Sequence, residues 1–300
     1  MIKKNDFEVI NKIYKPYKYT IKNNVKILYC DDENLVIKPK CKNLNNTYEY
    51  LKASNFNNYI PIKDELRSNY DIFPYVEDKK VSVQQKGNDL ARLVAIMHAK
   101  TSYEKDVDSN IYDKIYYDVL NNCDYLENYY SDIYDKLFLN EYHKPHEILF
   151  LHNYSKINNA IGFCKSNLES YFNLISEKKT QRVSLIHNNL EVDHLIKNDD
   201  DYLISFDNSR FDTPVIDMVK LYKKEYDNLN FSELLKTYLY HYSYHDDELK
   251  LFFILISMPY EIKFTDNNFD NVSKVYKLVN YINKTEELVW PYYSQDEKVE

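Results

Sequence analysis

The residues best suited to chemistry in this chain lie between positions 184 and 218. An apolar run ends at His187, Asn189 follows it, and His194 comes five positions after Asn189. A polar turn then leads into a second short apolar run that ends at Asp207. Because side chains at strand ends project from the edge of a sheet, Asn189, His194 and Asp207 predict a site that could hold a phosphate-bearing ligand.

The composition of the chain limits the classes of function that need to be considered. Its 300 residues, 44% of them hydrophobic, suit one large domain or two lobes with a substantial core. The net charge of −8 argues against a nucleic-acid binder and against a protein that binds anionic membranes. The four cysteines form no C-x-x-C pair, which favours free thiols over a zinc site or a disulfide framework. The amino terminus lacks an apolar signal core, which predicts a cytoplasmic protein.

The order of the predicted elements indicates an α+β fold. Residues 25–38 favour a β-hairpin, and Asn46 or Thr47 is predicted to cap the helix that follows it. Residues 72–78 favour a strand that runs out into a connector. Beyond this connector, apolar residues recur mostly at the three- and four-residue spacing of amphipathic helices.

The expected architecture is therefore bilobal. A small β-rich lobe is expected over residues 1–78 and a large, mainly helical lobe over residues 79–300, with one β-hairpin over residues 184–207. Only two glycines occur, Gly87 and Gly162, so turns that need a left-handed backbone must use Asn or Asp.

Two segments carry a resemblance to a known family. They are I-H-N-N-L-E-V-D-H (186–194) and F-D-N-S-R-F-D-T-P-V-I-D-M (206–218). The first segment is similar to the H-x-D-x-x-x-x-N motif of the aminoglycoside phosphotransferase and choline kinase group. The second is similar to the part of the same family that contains the metal-binding Asp and, about ten residues later, the sequence P-x-x-D-L. Within that group the chain most resembles the CotS-type spore-coat kinase-like proteins of spore-forming bacteria. The resemblance implies a bilobal protein-kinase-like fold, in which Asp217 supports the backbone of the catalytic loop.

The same resemblance implies roles for individual residues. The catalytic Asp of the family falls on Asn189, its metal Asn on His194 and its metal Asp on Asp207. Lys38 is implied to pair with nucleotide phosphates, with Glu49 as its partner on the helix. The cofactors implied for an active member are ATP and Mg²⁺.

Three departures from the family pattern predict a degraded, pseudokinase-like site. Asn189 cannot accept a proton at neutral pH, and general-base help is worth roughly 10²–10⁴-fold. The neutral imidazole of His194 is a poor ligand for Mg²⁺, which prefers oxygen. No glycine precedes Gly87, so a glycine-rich loop that lets backbone amides approach phosphates is missing.

Each assigned residue also has a structural interpretation. Asp207 is either a metal ligand or a cap at a strand end, and His194 is either a ligand or a packed histidine. Lys38 is either the phosphate-pairing lysine, with Lys40 as the neighbouring candidate, or an exposed lysine of an edge strand.

Two hypotheses for function follow. In the first, the chain is a catalytically degraded kinase-fold protein that acts mainly through protein contacts. The resemblance then implies spore-coat proteins as partners, and the mother-cell cytoplasm or the spore coat as location. In the second, the chain is an ATP-dependent phosphotransferase that acts on a small hydroxyl-bearing substrate.

Overall fold

The computed structural model describes residues 10–22, 25–41, 43–63, 69–108 and 110–294. Its amino-terminal part is a four-stranded antiparallel sheet in the order β1–β2–β3–β4. The strands are β1 (Lys18–Lys22), β2 (Val25–Tyr29), β3 (Leu35–Pro39) and β4 (Tyr70–Pro74). Helix α1 (Leu44–Ala53) lies between β3 and β4 in the chain.

Alternation along β3 explains how this sheet serves both a core and a site. Leu35 and Ile37 are buried in a small cluster on one face of the sheet. Val36 and Lys38, one residue out of phase, project from the opposite face, since successive strand side chains point to opposite sides. The polar Lys38 is thereby carried by the same strand as the core residues.

The carboxy-terminal part is built from helices around one large apolar core. The helices are α2 (Val83–Thr101), α3 (Asn110–Phe138), α4 (Pro145–Ile175), α5 (Val215–Glu225), α6 (Phe231–His241), α7 (Asp246–Ser257) and α8 (Asn268–Tyr293). None of the helices in the described part of the chain is both long and apolar enough to cross a membrane. The predicted α+β, bilobal architecture is confirmed.

Short strands between α2 and α5 carry the segment that the sequence singled out. The strands are β5 (Tyr103–Asp106), β6 (Thr180–Ile186), β7 (Leu195–Lys197), β8 (Asp201–Leu203) and β9 (Arg210–Asp212). One sheet has the order β5–β6–β9, and β7 and β8 form a separate antiparallel pair. Two 3₁₀ turns complete the segment, Val192–His194 and Phe206–Asn208.

The prediction of one hairpin over residues 184–207 is wrong in its pairing. Strand β6 is the middle strand of its own sheet and pairs with β5 and β9. The hairpin in this region is β7–β8, and it ends at Leu203, so that Asp207 lies in a 3₁₀ turn and not at a strand end. The error has a physical cause, because the two strands that pair with β6, β5 and β9, come from residues 103–106 and 210–212, and a local pattern does not show such pairing.

Local expectations in the amino-terminal part had mixed outcomes. The hairpin predicted over residues 25–38 is confirmed by the antiparallel register of β2 and β3. Helix α1 begins at Leu44, earlier than predicted, and its N-cap Asn43 makes no side-chain capping bond. Thr47, one of the two predicted caps, is buried, and its Oγ1 lies 3.2 Å from Oγ of Ser209. The lobe boundary at residue 78 stays a prediction; residues 75–82 lie outside helices and strands.

Four described residues other than glycine have a left-handed backbone. They are Lys15, Asn55, Asn188 and Ser205, with φ of 42°, 57°, 63° and 68°. The expectation that Asn replaces glycine in such turns holds for Asn55 and Asn188. Asn188 and Ser205 flank the candidate site, where a strained backbone often accompanies function.

Candidate functional site

A cleft of about 460 Å³ separates the four-stranded sheet from the β7–β8 hairpin. We call it the lobe cleft. Its apolar lining comes from both lobes and includes Val25, Ile27, Val36, Ile60, Phe73, Ile196, Ile204 and Phe206. Its charged and titratable lining consists of Lys38, His194, Asp78, Glu191, Asp193 and Asp207. The cleft therefore combines an apolar slot with charged side chains, among which carboxylates outnumber cations.

Lys38 lies in the lobe cleft on strand β3. Its Nζ donates a hydrogen bond of 3.0 Å to Oγ of Ser205, across the cleft. Burial lowers the pKa of Lys38, and the negative charge of Asp207 partly opposes this shift. No carboxylate within the described residues forms an ion pair with Lys38.

Helix α1 does not bring Glu49 to Lys38. Glu49 is exposed and forms no ion pair with Lys38. One helical residue is a rotation of about 100°, so the helix presents the preceding residue, Tyr48, to the cleft instead. The Tyr48 ring stacks on Tyr59 at 4.5 Å and meets Phe206 edge-on at 5.9 Å. Burial and the nearby Asp207 raise the pKa of Tyr48, so its hydroxyl stays protonated.

The turn after β8 places Ser205, and not Asp207, against Lys38. Ser205 adopts φ 68° and ψ 47°, a left-handed conformation that turns its hydroxyl toward β3. Asp207 lines the cleft but is exposed, and its backbone carbonyl accepts a hydrogen bond from Sγ of Cys41 at 3.5 Å. Our sequence reasoning missed Ser205, although it lies directly after the apolar end of the strand.

Asp217 holds the backbone of the loop that follows β6. It is fully buried and accepts hydrogen bonds from the backbone N–H groups of His187 and Asn188, at 2.7 and 2.6 Å. Nε2 of His98 donates a third bond at 3.1 Å. Burial by itself would raise the pKa of Asp217, but the hydrogen bond and charge of His98 outweigh it and hold this pKa below its usual value. This is the supporting role predicted for Asp217.

The side chain of Asn189 is held by a lysine from helix α5. Nζ of Lys224 donates to Oδ1 of Asn189 at 2.9 Å and forms an ion pair with Glu191. The hydrogen bond from Lys224 lowers the pKa of Glu191, so this carboxylate stays charged and paired. The sequence carried no signal for Lys224, because it lies 35 residues after Asn189.

His194 is fixed as a neutral imidazole beside the same loop. Its Nδ1 donates to the backbone carbonyl of Asn189 at 2.8 Å, which leaves Nε2 as its one available acceptor. Burial lowers the pKa of His194. The ring of His187 lies 5.3 Å away, and Nε2 of His187 donates to the carbonyl of Ile204 at 2.7 Å.

Solved structures with this arrangement of elements include several small-molecule kinases. An aminoglycoside phosphotransferase from Alicyclobacillus acidocaldarius gives a TM-score of 0.66 at 10% identity, over 95% of this chain and 93% of that one. The AMP-bound spectinomycin phosphotransferase gives 0.55 at 10% identity, over 94% and 97%. A choline kinase from Streptococcus pneumoniae gives 0.46 at 13% identity, over 94% and 96%. This chain has the aminoglycoside phosphotransferase-like kinase fold.

The likeness extends to the fold alone at this level of identity. No family model and no curated protein sequence matches the chain. The predicted resemblance to aminoglycoside phosphotransferases is thus confirmed for the fold, and its CotS-type refinement stays a prediction.

The kinase fold implies Mg²⁺ in the lobe cleft, and the residues present do not fit that ion. Magnesium prefers near-octahedral oxygen ligands, usually with at least one carboxylate. Ser205 uses its hydroxyl on Lys38, and His194 offers only a nitrogen. Of the four carboxylates that line the cleft, two are held in ion pairs with lysines, and the other two, Asp193 and Asp207, are exposed. Within the described ranges, no group of three or more His, Cys, Asp or Glu side chains is placed to hold a metal ion.

Proposed function

We propose that this chain is a kinase-fold protein that has lost phosphoryl transfer and acts mainly through contacts with other proteins. The observation that carries the proposal is the 2.9 Å hydrogen bond from Lys224 to the amide oxygen of Asn189. In the kinase mechanism a carboxylate at this position orients the acceptor hydroxyl and takes its proton, and this help is worth roughly 10²–10⁴-fold in rate. The amide of Asn189 cannot take that proton at neutral pH, and its oxygen already accepts a hydrogen bond from an ammonium ion.

The electrostatics of the lobe cleft support the same proposal. Lys38 is the one cation among its described lining residues, against four carboxylates. Asp193 and Asp207, which form no ion pair within the described residues, would repel a triphosphate without its metal, and the residues facing Lys38 offer no metal shell. Because the charged lining is mainly acidic, we infer that any nucleotide in this apolar slot binds weakly and without Mg²⁺.

The turn between α3 and α4 supports a role in protein contacts. Phe138 at the end of α3, and Leu139 and Tyr142 in the turn, are 66%, 83% and 88% exposed. Exposed apolar clusters of this kind often mark interaction surfaces. Together with the CotS-type resemblance, they support spore-coat proteins as the class of partner.

Nucleotide and metal titrations test the loss of transfer. The melting temperature would be measured with ATP and Mg²⁺, with ATP and a chelator, and without any addition. We expect no Mg²⁺-dependent rise, and no phosphoryl transfer to a panel of amino alcohols and sugars. A clear Mg²⁺-dependent rise together with a phosphorylated acceptor would refute the proposal.

The proposed contact surface has its own test. The double variant Leu139→Glu/Tyr142→Glu should keep the melting temperature of the parent, because both side chains are exposed. In a spore-forming host, the parent fused to a fluorescent protein should locate to the forming spore coat, and the variant should not. Equal location of parent and variant would contradict a role for this turn.

The alternative is an active phosphotransferase on a small hydroxyl-bearing substrate. One observation favours it, since Lys38 and Asp207 line the same cleft. The alternative predicts ATP-dependent product formation that Lys38→Met abolishes. Lys236→Met, which changes an exposed lysine of α6, would serve as the matched control.

A further inference from the structure

A second pocket lies among the helices, on residues that the lobe cleft does not use. It measures about 450 Å³ and is bounded by α3, α5, α8 and the segment that follows α7. We call it the Lys223 pocket. Its lining residues are Asn122, Tyr125, Leu126, Lys223, Met258, Pro259, Tyr260, Glu261 and Tyr281.

Lys223 is an unpaired cation at this pocket. It is the neighbour of Lys224 on α5, but the helical rotation of about 100° per residue directs it away from Asn189 and into the pocket. Its Nζ makes no hydrogen bond or ion pair within the described part of the chain. The side chain of Lys223 is exposed, and the partial desolvation that the neighbouring helices impose lowers its pKa. An anion bound beside it would offset that desolvation cost.

Two further donors line the pocket without a strong acceptor. Nδ2 of Asn122 contacts the thioether Sδ of Met258 at 2.6 Å, and a thioether is a weak acceptor. The hydroxyl of Tyr260 has no hydrogen-bond partner among the described residues. Tyr260 is 40% exposed, and its partial desolvation raises its pKa to about 12, so this hydroxyl remains a donor at neutral pH.

The carboxylate of the pocket is already satisfied. Oε2 of Glu261 accepts a hydrogen bond from the hydroxyl of Tyr125 at 2.8 Å, and Oε1 lies 3.2 Å from Nζ of Lys263. The charge of Glu261 is therefore balanced by Lys263, and Glu261 does not pair with Lys223. The lining therefore offers donors from Lys223, Asn122 and Tyr260 beside a carboxylate that already has partners.

We propose that the Lys223 pocket binds a small organic anion whose acidic head lies against Lys223 and whose apolar body lies against the tyrosines. The walls suit such a body, because Tyr260 and Tyr281 form an aromatic pair at 5.5 Å and Leu126 and Met258 add aliphatic surface. The volume falls within the range of about 300–1,000 Å³ typical of small-molecule sites. The site is independent of the proposed loss of transfer in the lobe cleft.

Matched carboxylates and amides test this site. The probes are phenylacetate, naphthalene-2-carboxylate and octanoate, each compared with its neutral primary amide. Melting temperature is followed for the parent, for Lys223→Met and for the control Lys236→Met. We expect a saturable rise with at least one carboxylate and none with its amide. The rise should be lost in Lys223→Met and kept in Lys236→Met.

Folding of the variants is checked by the melting temperature without ligand, and Lys223→Arg should keep at least part of the response. If Lys223→Met is unstable, the proposal is tested on the parent protein instead. Its lysines are methylated with carbon-13 and followed by NMR. A carboxylate should then shift the Lys223 resonance selectively. Equal carboxylate binding by Lys223→Met, or no carboxylate-specific response of the parent to any of the three pairs, overturns the proposal.

Discussion

The ammonium of Lys224 lies 2.9 Å from the amide oxygen of Asn189 and pairs at the same time with Glu191. These contacts tie the end of helix α5 to the loop that follows β6. They place a cation where the resemblance assigns the proton acceptor of a phosphotransferase. Across the cleft, Ser205 holds Lys38 through a hydroxyl, where a carboxylate could have shared a metal ion.

Restoring the oxygen ligands should restore metal-dependent nucleotide binding only when Ser205 is included. The triple variant Asn189→Asp/His194→Asn/Ser205→Asp places two carboxylates and an amide oxygen around Lys38 and the loop. We expect a Mg²⁺-dependent rise in melting temperature with ATP for this variant and none for Asn189→Asp/His194→Asn. Adding Ser232→Asp, on the exposed side of α6, to the double variant controls for the extra charge. A rise in that control would show that position 205 is not decisive.

Removing the ammonium of Lys224 should change stability only slightly. Lys224 and Glu191 are about two-fifths exposed, and such pairs contribute at most about 1 kcal/mol. Lys224→Met should therefore lower the free energy of unfolding, measured in urea, by less than about 1 kcal/mol. The pKa of Glu191 is depressed below 4.5 in the folded chain, so the contribution is present above pH 4.5 and fades as the pH falls further. A larger loss, or one that grows on acidification, would contradict this.

Asp217→Asn should be strongly destabilising. The carboxylate is fully buried and accepts from the backbone of His187, from the backbone of Asn188 and from His98. Removing one partner of such a buried network costs about 3–5 kcal/mol. The pKa of Asp217 is held below 3.8, so the difference from the parent should be constant above that pH and narrow as the pH falls through the folded-state pKa. Urea unfolding at several pH values measures the loss of stability and its dependence on pH. The control Asp200→Asn, at an exposed position, should behave like the parent.

The backbone at position 205 should prefer glycine to a branched residue. Ser205 has φ 68°, a conformation that costs a residue with a side chain roughly 1–2 kcal/mol. Ser205→Val should lower the free energy of unfolding by about 1–2 kcal/mol, because a β-branched residue fits this conformation less well than serine and the bond to Lys38 is lost. Ser205→Gly loses the same bond but relieves the strain, so it should be clearly more stable than Ser205→Val. Equal stabilities of the two variants would contradict a left-handed backbone at this position.

Much of the fold was accessible from local sequence patterns. The alternation over residues 25–38 predicted the β2–β3 hairpin, and helical spacing predicted α2 and α4. The D-T-P-V-I-D segment predicted Asp217 as the support of the loop, and the structure gives it three hydrogen bonds. These features are encoded within a few residues, because periodicity and short motifs act at the scale of one element.

The composition of the candidate site was decided only by tertiary structure. Sequence spacing could not show that Lys224 reaches Asn189 from a helix 35 residues later. Nor could it show that the left-handed turn presents Ser205 to Lys38 while Asp207 stays exposed. Contacts between distant residues depend on helix rotation, turn handedness and lobe packing, which no local pattern records. The sequence alone therefore determined the scaffold and the departures from the family motif at positions 189 and 194. Packing determined which side chains face one another across the cleft.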